Sequence, residues 1–273
     1  MKTIIVNDFG IREGEDITEA LFSLFESNKT DTEFVFRKGT YFFSPKFEHP
    51  YSLSNTDFIE THKLGIWMKG MKNVRIDFGG SRLLFSGHMN GITCDRCEDI
   101  KIENAVIDWP EPFVAEGIIR RITGKHLDLY IDSKKYPHTF VPKNGLKFHY
   151  GNGEANYLWA FRQYEKSSRT ITRYDSGSVN FFSNVEYLGG EVYRFEAKNF
   201  KGDVGNICVL RHSLRNNAGI FMEKCTGVEL TDITFHSTSG IGCLAQFCDT
   251  LSFRRIHYTP NKEAGRIISG CRD

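Results

Sequence analysis

Four stretches of this chain superpose without gaps over a dozen residues: GIWMKGMKNVRI from Gly65, GITCDRCEDIKI from Gly91, GIFMEKCTGVEL from Gly219 and GCLAQFCDTLSF from Gly242. An internal repeat constrains a fold more than any single motif does, because a unit too small to close its own core must stack on a copy of itself. Gly65 and Gly91 stand 26 residues apart, and Gly219 and Gly242 stand 23 apart. Both spacings fall within the roughly 20 to 50 residues of a solenoid repeat.

Within each stretch the apolar residues alternate. Ile66 with Met68, Ile92 with Cys94, Ile220 with Met222 and Cys243 with Ala245 follow the glycine at a period of two, which is the signature of a strand. After a short turn carrying Met71, Cys97, Cys225 or Cys248 come Val74 with Ile76, Ile100 with Ile102, Val228 with Leu230 and Leu251 with Phe253. A third alternation follows at Ala105 with Ile107, Ile233 with Phe235 and Ile256 with Tyr258. Three short strands per repeat, each stacking like residues on its neighbours, predict an all-β chain wound as a right-handed parallel β-helix. Cys271 lies 23 residues beyond Cys248, so a further turn is expected to begin there, with Asp273 at the corner held elsewhere by Asn73, Asp99 and Thr250.

Ahead of the repeats, Ile17, Ala20, Leu21, Leu24 and Phe25 form one helical stripe. Asp16 with Glu19 resembles a capping box. This helix is expected to seal the first coil. EFVFRKGTYFF then reads as two strands around a glycine turn, and with the VNDFG opening it resembles the start of pectin-lyase-like β-helix proteins. Between Glu116 and about Leu210 the repeat is replaced by stretches such as HLDLYID and GLKFHYG between Gly-, Pro- and Lys-rich turns, the pattern of an inserted antiparallel β module with a barrel-like form. The predicted organisation is a cap and first coils over 1–116, the insertion over 117–210, and resumed coils over 211–273. The last coil is unfinished, which leads us to expect the N-terminal part of a longer protein. An uncapped end offers unpaired strand edges for self-association.

The formal net charge of +1 gives no basis for broad electrostatic capture of nucleic acid or an anionic membrane. No run approaches the roughly 18 to 20 apolar residues of a membrane span, and the opening MKTIIVNDFG lacks a long apolar signal segment. A cytoplasmic address and secretion after trimming both fit. The seven cysteines, CDRC among them, suggest zinc or disulfides at first sight. However, Cys94, Cys97, Cys225, Cys243 and Cys248 occupy inward positions filled elsewhere by Met, Ile or Ala, where a thiol packs as a small hydrophobe. The nine histidines form no spaced ligand motif, and there is no GxSxG, P-loop or strand-to-helix GxGxxG, so no metal and no cofactor is expected.

Polar residues at the ends of the third strands remain. Asp108 with Trp109, and His236 with Ser237, should stack onto one wall. Trp109 there suits a sugar face, since an indole beside polar groups packs on carbohydrate C–H surfaces. His212 and Arg215 stand where the coils resume, with Arg211 beside them, Gln246 lies in the fourth stretch, and Arg266 lies near the end.

Taken in order, IDWPEPFVAEG, LRHSLRNNAGIFMEKC, SGIGCLAQFCDTLSFRRIHYTP and GRIISGCRD resemble the β-helix α-1,3-galactosidases of glycoside hydrolase family 110. That resemblance implies a β-helix with an inserted barrel module and metal-independent, inverting, exo-acting hydrolysis of an oligosaccharide or glycan. It also implies acidic catalytic residues in segments that follow the one matched by GRIISGCRD. Inversion needs one carboxylic acid and one carboxylate roughly 6.5 to 9.5 Å apart. By the resemblance Asp273 matches the first acidic residue of the catalytic region and is expected to be the acid or base, while Trp109, His212, Arg215, Gln246 and Arg266, singled out by their places along the repeat, are expected on the substrate wall. The family's downstream paired aspartates have no counterpart in this sequence. Two other readings stay open: a polysaccharide lyase, which usually needs a cation and for which no clustered acidic calcium site is visible, and a noncatalytic β-helix that binds glycans or serves as a structural rod.

Overall fold

The computed structural model describes residues 1–54, 60–150, 153–172 and 178–272, the last through its backbone alone. The chain is all-β apart from a single α-helix and a 3-10 turn among these residues, and it divides into two compact units. One comprises Met1–Pro110, Arg215–Thr259 and Cys271–Asp273; the other comprises Glu111–Leu214 and Pro260–Gly270. The boundaries expected at 117 and 211 fall inside strands Val114–Ile122 and Ile207–Arg211, which pair with each other from Ile118↔Ile207 to Val114↔Arg211. That pairing is invisible in the coil pattern.

The first unit contains two sheets. One runs Lys2–Ile5, Thr30–Val35, Lys72–Phe85, Glu98–Asp108, Thr226–Phe235 and Asp249–Tyr258, with Thr40–Phe43 also on Lys72–Phe85. Every pairing in it is parallel. The other runs Gly270–Arg272, Ser237–Gln246, Ala218–Glu223, Asn90–Asp95 and Glu60–Lys69, with Phe47–Tyr51 added antiparallel at its edge. From Glu60 onward the chain alternates between the two sheets. Registers place Ile66, Ile92, Ile220 and Cys243 in one row, and Met68, Cys94, Met222 and Ala245 in the next. Val74, Ile100, Val228 and Leu251 form a third row.

Single left-handed residues make the corners. Gly70, Arg96, Lys224 and Phe247 have φ of 59, 51, 53 and 53°, and Asn73, Asp99, Gly227 and Thr250 have 52, 54, 71 and 56°. Such a conformation costs a non-glycine residue about 1–2 kcal/mol, so the stacked rows impose it. The expected third alternation is continuous with the second, separated only by left-handed Asn104, Asp232 and Arg255 at 58, 56 and 52°. A bend of one residue suffices where a separate strand was expected.

The repeated glycine also has a tertiary cause. A Cβ on Gly65 would lie 2.9 Å from Phe85, one on Gly91 2.9 Å from Trp109, and one on Gly219 2.9 Å from Phe235. The aromatic that ends each long strand therefore lies over the next sheet's glycine. Phe85 stacks between Phe43 (centroids 4.9 Å) and Trp109 (4.7 Å), and Phe235 stacks on Tyr258 (5.1 Å).

Helix Thr18–Glu26 buries Leu21, Leu24 and Phe25, and Phe25 packs on Phe34. The capping box does not form at its start: Asp16 accepts the Thr18 N–H (3.1 Å) and hydroxyl (2.6 Å) instead. Cys271 corrects a second expectation. It lies on strand Gly270–Arg272 beside Ser237–Gln246, in the sheet of Cys243, and not at the corner after Cys248. Pro260–Gly270, counted with the other unit, lies between the two cysteines.

Among the described residues, the strand pairings of that second unit are antiparallel. Its larger sheet runs Ala160–Tyr164, Ile207–Arg211, Val114–Ile122, His126–Tyr130, Val192–Lys198 and Ser178–Val179, with Glu186–Gly189 also on Val192–Lys198. A smaller sheet joins His138–Val141, Gly145–His149 and Ala155–Tyr157. Ile119, Leu127, Leu129, Leu146, Phe148, Phe195 and Leu210 are central to its core.

Candidate functional site

In the parallel unit the ends of the long strands do bring polar groups together. Asp108 and Ser237 are buried, and the Ser237 hydroxyl donates to Asp108 Oδ1 (2.6 Å) while accepting the Trp109 N–H (2.9 Å). In the next row His236 Nδ1–H donates to the Thr259 carbonyl (2.9 Å). Parallel registry creates this cluster, since the residues that follow Ile107, Phe235 and Tyr258 are adjacent across strands.

Trp109 itself is placed differently from the expectation. It is fully buried, its Nε1–H donates to the Gly87 carbonyl (3.0 Å), its ring stacks on Phe85, and its Cη2 edge lies over Gly91. The indole occupies the position that Phe85 and Phe235 hold in their own rows, so it contributes core area and offers no face to a sugar.

Gln246 is likewise engaged. Asp95, Glu223 and Gln246 are successive in register. Gln246 Nε2 donates to Glu223 Oε2 (2.7 Å) and to the Ser52 carbonyl (2.7 Å), and its Oε1 accepts the Ser54 N–H (2.9 Å). It thus fastens the segment after Phe47–Tyr51 to the sheet. The two buried carboxylates of this column are balanced, Asp95 by Arg96 (2.8 Å) and Glu223 by Lys224 (3.4 Å) as well as Gln246. Burial and, next, the Asp95 charge raise the Tyr51 hydroxyl well above its ordinary range. Arg215 is exposed on this unit. Asp273 lies outside the described residues.

In the antiparallel unit His212 is buried, with Nδ1 paired to the Tyr150 hydroxyl (2.8 Å) and its ring stacked on Phe148 (4.2 Å, 9°). Arg266 is also buried, and its N–H donates to the Asn261 carbonyl (3.0 Å). Sequence reasoning gave Glu116 no role beyond marking where the repeat stops, yet it organises this region. Its Oε1 accepts the N–H groups of Ile267 and Ile268 (2.7 Å each), and its Oε2 accepts Lys135 Nζ (2.8 Å). Lys135 also donates to the Gly265 carbonyl. Its burial, and then the Glu116 charge and hydrogen bond, push Tyr136 far above the usual phenol range. A single carboxylate cradled by consecutive N–H groups fixes Pro260–Gly270. No short motif announces such a contact, because its partners are 151 and 152 residues away.

Among the described residues, no three His, Cys, Asp or Glu side chains converge on a metal-sized site. The Cys94, Cys208 and Cys225 thiols are raised above their ordinary range, Cys94 and Cys208 by burial and Cys225 first by the Cys97 hydrogen bond. Burial pushes Cys243 up to about 12. Thiolate chemistry at neutral pH is therefore disfavoured, as expected of packing residues.

These features define an all-β protein with one unit of parallel sheets in register and a second, antiparallel unit. No family model matches the chain. It is similar to alpha-1,3-galactosidase B of Bacteroides thetaiotaomicron, at 29% identity over 98% of this chain and 45% of the relative. It is also similar to alpha-1,3-galactosidase A of Shewanella woodyi (26%, over 98% of this chain and 45% of the relative) and of Bacteroides fragilis (21%, over 99% and 46%). The chain spans a little under half the length of these relatives.

Proposed function

We propose that this chain is a substantial part of an α-galactosidase-like, inverting exo-glycosidase of glycoside hydrolase family 110, acting on a terminal sugar of an oligosaccharide or glycan. The observation that carries the reading is the similarity to alpha-1,3-galactosidases across 98% of the chain, which spans both units. In this reading the alternating parallel sheets are coils of a right-handed, pectin-lyase-like parallel β-helix, and the antiparallel unit is its inserted barrel-like module.

Hydrolysis with inversion requires an acid to protonate the leaving oxygen and a base to activate water. We assign Asp273 to one of these roles. Arg215 of the parallel unit is the side chain assigned to glycan hydroxyls; His212 and Arg266 belong to the antiparallel unit, where both are buried. Trp109 and Gln246 act indirectly in this scheme: both are buried, and Gln246 is hydrogen-bonded to the backbone of Ser52 and Ser54.

The deciding assay is hydrolysis of p-nitrophenyl α-galactoside and α-1,3-linked galactosides by this chain and by any longer polypeptide that contains it. Release of galactose with inverted anomeric configuration, lost on Asp273→Asn, is the expected result. If no such polypeptide hydrolyses the panel while glycan binding is retained, the noncatalytic reading replaces this one.

A further inference from the structure

Strand Val192–Lys198 of the antiparallel unit is flanked by two adjoining concavities. One, of about 370 Å³, is lined by Trp159, Asn180, Phe181, Phe182, Glu196 and Lys198 among others. The second, of about 750 Å³, shares Glu196 and Lys198 and adds Lys125, His126, Asn184 and Glu186. Both volumes lie in the range of roughly 300–1,000 Å³ typical of small-ligand sites.

The apolar part of this groove is built in two layers. Phe181 is buried, edge-on to Phe161 (5.7 Å) and Phe195 (5.8 Å), and forms a packed floor. Above it Trp159 and Phe182 remain 41% and 50% exposed. Their rings contribute little to the core, yet both line the same recess. The turn that carries Phe182 is fixed: Asn180 Oδ1 accepts the N–H groups of Phe182 and Ser183 (3.1 Å each), and Asn180 Nδ2 donates to the Ser183 hydroxyl (2.7 Å). Glu196 Oε2 is held by Asn184 Nδ2 (3.2 Å).

The charged groups are mixed, with Lys125 and Lys198 against Glu186 and Glu196. A single-sign field would select an anion or a cation. Exposed aromatic faces beside balanced hydrogen-bonding groups instead match the C–H faces and hydroxyls of a neutral sugar. We propose that this groove is a glycan-binding site separate from the catalytic groups assigned above, in which one ring of a neutral oligosaccharide packs on Trp159 and Phe182 and its hydroxyls are held by Glu196 and Lys198. The choice of sugar as ligand rests on the carbohydrate reading; the groove's shape and chemistry do not.

The test is calorimetric and fluorescence titration of the 273-residue chain with galactobiose, lactose and raffinose, and with a sialylated trisaccharide as the charged control. Expected are saturable binding of a neutral glycan, a blue shift in emission as Trp159 loses water, and at least tenfold weaker affinity for Trp159→Ala and Glu196→Gln. Both side chains lie outside the core, so the variants should keep the parent's unfolding temperature. Binding left intact in Trp159→Ala and Glu196→Gln overturns the site. Tighter binding of the sialylated sugar, or no binding by the folded chain, also overturns it. Groove binding with no hydrolysis by this chain or by any longer polypeptide that contains it would sink the glycosidase reading and leave this site standing.

Discussion

In the parallel unit Phe43, Phe85 and Trp109 stack at interplanar angles of 20 and 23°, while in the antiparallel unit Phe181 meets Phe161 and Phe195 nearly edge to face at 71 and 61°. The difference follows from how the strands are arranged. Parallel strands in register set each residue beside its counterpart from another pass of the chain, so similar residues must suit one another as neighbours. Antiparallel strands pair residues with no such correspondence, as where Leu127 lies opposite both Ile122 and Phe195. The first arrangement is regular and unforgiving at each repeated position. The second is locally adjustable and leaves irregular concavities.

The largest test of that contrast lies in two glycines. Gly219→Val in the parallel unit places branched atoms where even a Cβ would stand 2.7 Å from Thr238 and 2.9 Å from Phe235 and the Gly242 carbonyl. We expect no cooperative unfolding transition by calorimetry. Gly117→Ala on antiparallel strand Val114–Ile122 meets only ordinary contacts of 3.4 to 3.6 Å, and its stability should stay within about 1 kcal/mol of the parent. Equal tolerance at both positions would break the comparison.

Next in size is Phe85→Ala, which removes a fully buried ring from the middle of the stack. Urea denaturation should show a loss of about 3–5 kcal/mol. Glu116→Ala follows at about 2–3 kcal/mol, since it strands two N–H groups and the Lys135 ammonium. Limited proteolysis should then cut within residues 260–270 before the parallel unit is touched.

The smallest effect is a pH dependence confined to the antiparallel unit. Burial lowers the pKa of His138 from its ordinary 6.5, and the ring is neutral in the fold, with Nδ1–H donating to the Tyr136 carbonyl (2.6 Å) and Nε2 accepting from Tyr193 (2.9 Å). The unfolded chain then takes up the proton first, so this contribution is complete above about 6.5 and is lost as pH falls from there through the folded value. His138→Gln should flatten that slope in a series of melts from pH 7.5 to 5, and an unchanged slope would assign it elsewhere.

Legibility from sequence divided along the same line. The rows through Ile92 and Ile100 were readable because the period-two alternation recurs at fixed offsets from a glycine. The hydrogen bond between Asp108 and Ser237 was anticipated only as stacking of strand ends, which registry then supplied. Trp109 was misread, because an indole next to polar residues looks the same in sequence whether its ring faces a ligand or fills the place of a phenylalanine. Gln246 was misread for a similar reason: Ser52 and Ser54, which occupy its amide, are nearly two hundred residues away. Glu116 and the groove over Val192–Lys198 left no local signal at all.

The sequence by itself therefore determined the strand alternation, the inward cysteines, the interruption by another module and the likeness to galactosidases, since each is written in short-range periodicity or in residue order. Tertiary structure alone decided which aromatic lies over which glycine, which carboxylates are neutralised, where the units part, and that Cys271 returns to the sheet of Cys243. Those outcomes depend on contacts between distant residues, whose free energies are fixed by burial and geometry that no local pattern encodes.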